Sequence, residues 1–435
     1  MNLPPSIPTA LPSPPAAAAA VVAAPVAPPP GALAHVKVLD LSRVLAGPWA
    51  AQLLADLGAE VIKVERPRVG DDTRSWGPPF LPDRDGRATA DAAYFLCTNR
   101  NKRSLTLDIT TAAGQAIVRE LAARADVLVE NYKVGGLAQY GLDYASLKAD
   151  FPRLVYCSIT GFGQTGPYAP RAGYDFLMQA MGGLMSVTGR SDAETGAGPL
   201  KVGVAVTDLL TGLYASTAIL AALAHRDRSG QGQHIDLALL DVQVACMANQ
   251  SMNYLYSGVA PQRLGNAHPN IVPYQDFPTA DGDVIVAVGN DGQFARLCGV
   301  LGHPAWAEDE RFATNDARIT NRVELIRRLR EQTLQRSTAQ WVAALEAADV
   351  PCGPINSMAQ VFADPQVKFR EMQIEVEHPH GGPIPLVANP IKLSATPVTY
   401  ERAPPTLGQH TDEVLAAELG YDAARIAQLR HQRVI

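Results

Sequence analysis

Between Val202 and His225 the chain reads VGVAVTDLLTGLYASTAILAALAH, and Asp208 is the one formally charged side chain in that largely apolar run. A carboxylate at the head of an apolar helix has two uses. Placed before a helix that starts near Leu209, it is an N-cap and accepts a hydrogen bond from a backbone N–H one turn on. Placed the same way but facing a dry cavity, it is a nucleophile, because the positive end of the helix keeps it ionised and nearby backbone N–H groups can stabilise an oxyanion. Local spacing does not choose between cap and catalyst. Further groups with chemical potential sit in glycine-containing segments: Arg43 in SRVLAGP, Arg66 and Arg74 in RPRVGDDTR, and Arg171 and Tyr174 in GFGQTGPYAPRAGYD.

The elements that would position these groups alternate. VKVLDL reads as a buried strand, PWAAQLLADLG as a helix with Pro48 in its first turn and Gly58 past its end, and EVIKVE as the next strand. The pattern continues through strand SLTLDI, helix TAAGQAIVRELAARA, strand DVLVEN, a short helical piece near GGLAQYG and strand RLVYCSIT. Strands separated by helical crossovers imply an α/β fold with a mainly parallel, Rossmann-like sheet covered on both faces. In such sheets ligands sit beyond the carboxyl ends of the strands, which directs attention to residues 42–48, 66–74, 131–136 and 161–167. None of these segments holds GxGxxG with its proper spacing or a P-loop, so neither a nicotinamide cofactor nor a nucleotide triphosphate is expected.

A chain of 435 residues suits more than one lobe. Residues 1–34 are proline- and alanine-rich and are expected to be a disordered tail, since prolines interrupt any helix there and no Lys or Arg supports a targeting signal. Residues 35–249 form the first part of a large domain, 250–350 a smaller α/β domain, and 351–435 a return segment that completes the large one. The net charge of -6, without a basic stripe, argues against nucleic acid and for a small-molecule partner. The run around Asp208 is almost long enough to span a bilayer, but Gly203, Thr207, Asp208, Thr211, Gly212 and Ser216 make it a poor span, so no membrane partner is expected. Five cysteines stand singly, with no CxxC pair and no histidine at ligand spacing, which fits reduced thiols in a cytoplasmic protein without a metal site.

Several stretches carry a resemblance to one family. VKVLDLSRVLAGPWAAQLLADLGAEVIKVERPRVGDDTRSWGPPF, NRNKRSLTLD, DVLVENY, YCSITGFGQTGPYAPRAGYD, GQHIDLALLD and LGQHTDEVL resemble, in order, the motifs of the class III CoA-transferases. The likeness runs from about His35 almost to the end. In that family an aspartate closing a G-x-x-x-x-D segment is the nucleophile, and here the segment is Gly203 through Asp208. The resemblance further implies that coenzyme A is a substrate with no permanently bound cofactor. By position it assigns CoA contacts to Val44, Leu45, Ala46, Arg66, Leu107, Asn131 and Tyr132. Three cationic family positions differ, being Thr110, Gln139 and Ala172 here, so Arg103, Arg74 or Arg171 is expected to take over the pyrophosphate. The shielding glycine-rich loop of formyl-CoA transferase has no counterpart in LGNAHPNIVPYQ, where Gly265 and His268 are the candidates for a different lid.

Family racemases carry a histidine in a G-H-D triplet, and here the triplet is Gly173-Tyr174-Asp175. Tyrosine, with a free pKa of about 10, is a poor base near neutrality, so Tyr174 is expected to line the acyl site. Racemization and a non-catalytic CoA-binding role are the alternatives. ERPRVGDDTRSWGPPF and PNIVPYQDF look most like the succinate-hydroxymethylglutarate (glutarate) branch. A dicarboxylate acceptor needs a cation for its distal charge, and Arg43, Arg74, Arg171 and His268 are the candidates. The family likeness also implies an interlocked homodimer.

Overall fold

The computed structural model describes residues 30–435, so most of the proline- and alanine-rich run lies outside the described residues. Its expected end at residue 34 moves back, because Gly31 to Leu33 are docked. Leu33 donates its N–H to Leu57 O at 2.9 Å, and a Cβ on Gly31 would lie 2.7 Å from Gly58 Cα. Only glycine on both sides permits that backbone approach.

In chain order the strands are β1 (Lys37–Asp40), β2 (Glu60–Glu65), β3 (Phe80–Pro82), β4 (Ala88–Ala92), β5 (Lys102–Thr106), β6 (Val127–Glu130), β7 (Val155–Thr160), β8 (His234–Ala238), β9 (Tyr274–Pro278), β10 (Asp283–Ala287), β11 (Cys352–Pro354), β12 (Gln373–His378) and β13 (Gly382–Val387). Six of them make one parallel sheet in the order β5-β2-β1-β6-β7-β8. The chain winds one way from β1 to β5 and the other way from β6 to β8. Loops after β1 and β6 therefore diverge and leave a crevice, the place where doubly wound sheets bind ligands.

Both faces of the sheet are covered, and β6 and β7 are buried throughout, as their largely apolar sequences fit. One face packs on the helices Ala112–Ala122, Thr411–Leu419 and Ala423–His431 through Ile117, Val118, Leu415 and Ile426. The C-terminal segment thus packs on the first core. Against the other face lie the helices Ala46–Asp56 and Val206–Ser229, through Ala50, Leu54, Ala215 and Ile219. β5 starts at Lys102, two residues before the apolar run expected from sequence. The reason is a buried ion pair: Lys102 Nζ lies 3.0 Å from the Asp40 carboxylate on β1, and sequence reading places such charged residues in a loop.

A second core between Val272 and Val350 forms the smaller lobe, with β11-β10-β9 antiparallel and Phe277, Phe294, Phe312 and Trp341 inside. Hairpin β12–β13 joins Leu81 of β3 in a satellite cluster.

The helix Val206–Ser229 has the length and apolarity to cross a bilayer. Here its buried stripe, Thr211, Ala215, Ile219 and Ala222, faces the sheet and the 46–56 helix. Gly212 sets the closeness of that packing, because a Cβ there would meet Ala46 O and Trp49 Cδ1 at 2.8 Å. Gly212→Val should therefore push the two helices apart and cost about 1–3 kcal/mol, read as a lower denaturant midpoint with reduced activity. An unchanged midpoint would show that the contact is soft.

Candidate active site

The turn after β1 is held in an uncommon shape. Val44 has φ of 71°, in the left-handed region that a β-branched residue rarely enters. Its N–H donates to Asp71 Oδ1 at 3.2 Å, and Asp71 is held by Lys63 Nζ at 2.9 Å. Across the crevice Asn131, following β6, makes two hydrogen bonds to the same turn. Arg43 N–H donates to Asn131 Oδ1 at 2.9 Å, and Asn131 Nδ2 donates to Arg43 O at 2.6 Å. Buried ionic groups thus define the backbone at the head of the 46–56 helix, whose first amides have no intrahelical acceptor and open on the crevice.

Asp208 reaches the same crevice from the other side. The helix begins at Val206 and not near Leu209, so Asp208 sits in its first turn and the capping position falls to Ala205, which has no side-chain acceptor. The capping role expected for Asp208 is taken from outside the helix by Asp175. Its Oδ1 accepts the N–H of Thr207 at 2.8 Å and of Asp208 at 3.4 Å. Asp208 is 8% exposed. Burial first, and the like charge of Asp175 second, push its carboxyl up to about 7.

One cavity brings together Asp208, Val44, Leu45, Ala46, Asn131 and Tyr132, with Arg43, Arg171 and Tyr174 also on its walls. Tyr174 is largely exposed there. The loop carrying Arg171 and Tyr174 closes on itself at its base: a Cβ on Gly161 would lie 2.7 Å from Gly173 Cα. Arg171 stacks on Phe162 and Tyr168, at 5.0 and 4.5 Å from the ring centroids. Arg43 lies over the Tyr132 ring at 4.9 Å, and its Nε is buried without a partner.

Five expected contacts lie elsewhere. Arg66 lines a neighbouring cavity with Ile109, Thr110 and Tyr140, which shares the Arg43–Tyr132 wall with the first. Leu107 is 1% exposed in the core beside Leu105 and Ile109, so its side chain does not line the cavity. Arg103 stands at the start of β5, the opposite end of the sheet, in ion pairs with Glu60, Glu413 and Glu418. Arg74 is buried between Glu65 and Asp91 over the Phe95 ring, and also donates to Pro405 O. Both arginines are consumed by carboxylates that were invisible as neighbours in sequence. His268 belongs to the small lobe, where its ring lies 5.3 Å from that of Tyr274 and its Nδ1 accepts the N–H of Asn270.

Sequence reading missed Asp175 and Gln179 as site residues. Gln179 Nε2 donates to Asp175 Oδ2 at 2.7 Å, and Gln179 Oε1 accepts Val202 N–H at 2.9 Å, which ties the segment before the Val206–Ser229 helix to its neighbour. Their i, i+4 spacing at the start of a helix was a usable signal for the pair, though not for what it grips.

A buried carboxylate on a cavity shared with helix-terminal amides, at the switch point of a parallel sheet, can attack an acyl carbon, and its burial keeps water from the product. Known proteins similar to this chain act on CoA thioesters. The chain is 56% identical over 384 residues to a succinate–glutarate CoA-transferase of Agrobacterium fabrum, covering 88% of this chain and 95% of the relative. It is 45% identical over 403 residues to the human succinyl-CoA:glutarate CoA-transferase, covering 93% and 90%. A crystal structure of a CAIB/BAIF family protein from Brucella suis matches with a TM-score of 0.78 at 51% identity, over 90% of this chain and 100% of that one. Residues 33–411 match CoA-transferase family III, and with relatives of such identity along nearly its whole described length the chain belongs to that family of enzymes.

Proposed function

We propose that this enzyme moves CoA from succinyl-CoA to a dicarboxylic acid such as glutarate, with Asp208 as the covalent carrier. The observation that carries the reading is the placement of the Asp208 carboxylate on one cavity with the Val44–Ala46 turn and Asn131. The names of the Agrobacterium and human relatives support the choice of substrates.

Asp208 attacks the thioester carbon, and CoA thiolate leaves as a succinyl-aspartyl anhydride forms. The thiolate then attacks the aspartyl carbon, releasing succinate and leaving an aspartyl-CoA thioester. The acceptor carboxylate attacks that thioester, thiolate departs again, and its return to the acceptor's acyl carbon yields the new acyl-CoA and free Asp208. Each intermediate keeps the activation of the original thioester, provided water is excluded. The helix-terminal amides at Leu45 and Ala46 suit the developing oxyanion or the CoA pyrophosphate.

For the distal charge of a dicarboxylate, Arg43 and Arg171 are the arginines on this cavity. Arg171 has no carboxylate partner among the described residues and is held by two aromatic rings. Arg171→Ala is expected to lower kcat/KM for glutarate by about 10- to 100-fold, the worth of one charge-assisted hydrogen bond, with little change for a monocarboxylate acceptor. Equal losses for both acceptors would remove Arg171 from the acceptor site. A panel of acids incubated with succinyl-CoA and read by mass spectrometry tests the reaction itself: glutaryl-CoA should appear, and a chain that produces no acyl-CoA from any dicarboxylate refutes the assignment.

The active form is, in this reading, an interlocked homodimer. Leu213, Tyr214 and Leu220 on the nucleophile helix, together with Val244, Leu255 and Tyr256, are exposed apolar side chains of the kind a second copy would cover. The five free thiols suit the reducing cytoplasm, where we place the enzyme.

A further inference from the structure

One buried carboxylate near the catalytic cavity has no part in the exchange described above. Asp175 is the first residue of the Asp175–Met181 helix and 9% exposed, yet it has no cationic partner among the described residues. Tyr174, just before it, faces the cavity, while Asp175 turns inward. Its oxygens accept three hydrogen bonds, from the N–H groups of Thr207 and Asp208 and from Gln179 Nε2. Gln179 is fully buried and bonded on its other side to Val202. A second strut, Thr207 Oγ1 donating to Gln243 Oε1 at 2.7 Å, fixes the same turn. The carboxylate is therefore immobilised against the first turn of the nucleophile helix.

An aspartate in the first turn of a helix is ordinarily stabilised as its anion by the free amides and the dipole there. Such stabilisation weakens a nucleophile, since the electron pair it must donate is already engaged. Here Asp175 occupies two of those amides, including the N–H of Asp208 itself, and places a negative charge where a positive end would act. We propose that Asp175 is a positioning residue for catalysis: it caps the nucleophile helix in place of Ala205 and holds a second negative charge beside Asp208, which keeps that carboxylate reactive.

The inference rests on the reading of Asp208 as the nucleophile. Other charged or titratable groups also face it. Tyr94 approaches from the Ala93–Leu96 helix, and burial first, then the Asp208 charge, push its phenol up to about 12. Across the cavity stand Arg43, Asp72, Tyr132 and Lys133, with Arg171 and Tyr174 on the closed loop. After burial, the Asp175 charge raises the Asp208 carboxyl further.

Asp175→Asn keeps an oxygen for the two amides and removes the charge. In CoA exchange its kcat/KM acid limb, which reports the free enzyme, should move down by about one pH unit or more, with a rate at pH 8 several-fold below wild type. Asp175→Glu, which retains the charge, should keep the limb near the wild-type position. A folded Asp175→Asn with an unmoved acid limb overturns the proposal and leaves Asp175 a structural cap. Should that variant not fold, Asp175→Ser, which also keeps an acceptor oxygen and removes the charge, takes its place: a lowered limb is expected, and an unmoved one overturns the proposal. Asp208→Asn retaining exchange would instead overturn the reading on which the proposal rests.

Discussion

Asp208→Ala is expected to abolish CoA exchange, with kcat falling by at least about 10⁴-fold as for other enzymes deprived of their nucleophile. CoA affinity should change by less than about tenfold, because one side chain's share of the binding energy is small beside that of the whole ligand. The contacts assigned to CoA lie on other elements, the Val44–Ala46 turn and Asn131–Tyr132, and the ion pairs behind them do not involve Asp208. The covalent part of the claim has its own measurement. Hydroxylamine added during turnover should convert an acylated or CoA-linked Asp208 to a hydroxamate, found by peptide mass spectrometry at that residue and no other. Exchange that persists in Asp208→Ala, or turnover without a trapped adduct at Asp208, removes the aspartyl mechanism. A protein that merely binds CoA would show neither loss nor adduct.

The same carboxylate is expected to destabilise the fold. Burial and then Asp175 raise the Asp208 carboxyl from 3.8 to about 7. Between about pH 4 and 7 the folded protein therefore keeps a proton that the unfolded chain has released, so stability falls as pH rises through that window. Above 7 the whole cost of the buried anion is present, and three pH units correspond to about 4 kcal/mol. Asp208→Asn removes the charge while preserving shape. It should be more stable than wild type at pH 8 by about 2–4 kcal/mol and indistinguishable from it near pH 4, where both carry a neutral group. Urea unfolding at the two pH values measures this. A variant no more stable at pH 8 would mean that the carboxylate is not strained by its setting. Gain in stability with loss of activity, from one substitution, is the mark of a residue retained for chemistry.

Much of this architecture is legible in the residues. The helix Ala46–Asp56 and strands β6 and β7 stand where apolar periodicity and the Pro48 and Gly58 signals put them. The strand-end rule pointed to residues 42–48 and 131–136, and the crevice between β1 and β6 is built from them. Less legible were positions where charge is buried. Lys102 lies outside the apolar run that marks β5 in the sequence and is strand, because its partner Asp40 arrives from two strands away. Asp208 reads as a cap and is not one, because Asp175, thirty-three residues earlier, performs the capping.

The arginines draw the boundary most clearly. Arg43, Arg74, Arg103 and Arg171 look alike in sequence, each a cation near a strand. Folding commits Arg103 to Glu60, Glu413 and Glu418 and Arg74 to Glu65 and Asp91, while Arg43, loosely paired with Asp72 at 3.7 Å, and Arg171 remain on the cavity. Residue type, helical and strand period, and the single charge of VAVTDLLTG are local properties, so the chain by itself determined the alternating fold and the strand ends that matter, and it singled out Asp208 as the candidate reactive group. Which cations are free, which carboxylate sits beside the nucleophile, and whether a side chain such as Leu107 faces ligand or core depend on partners up to some 300 residues apart. Those choices belong to the tertiary structure, because a charge is available for chemistry only after every stronger partner within reach has been counted.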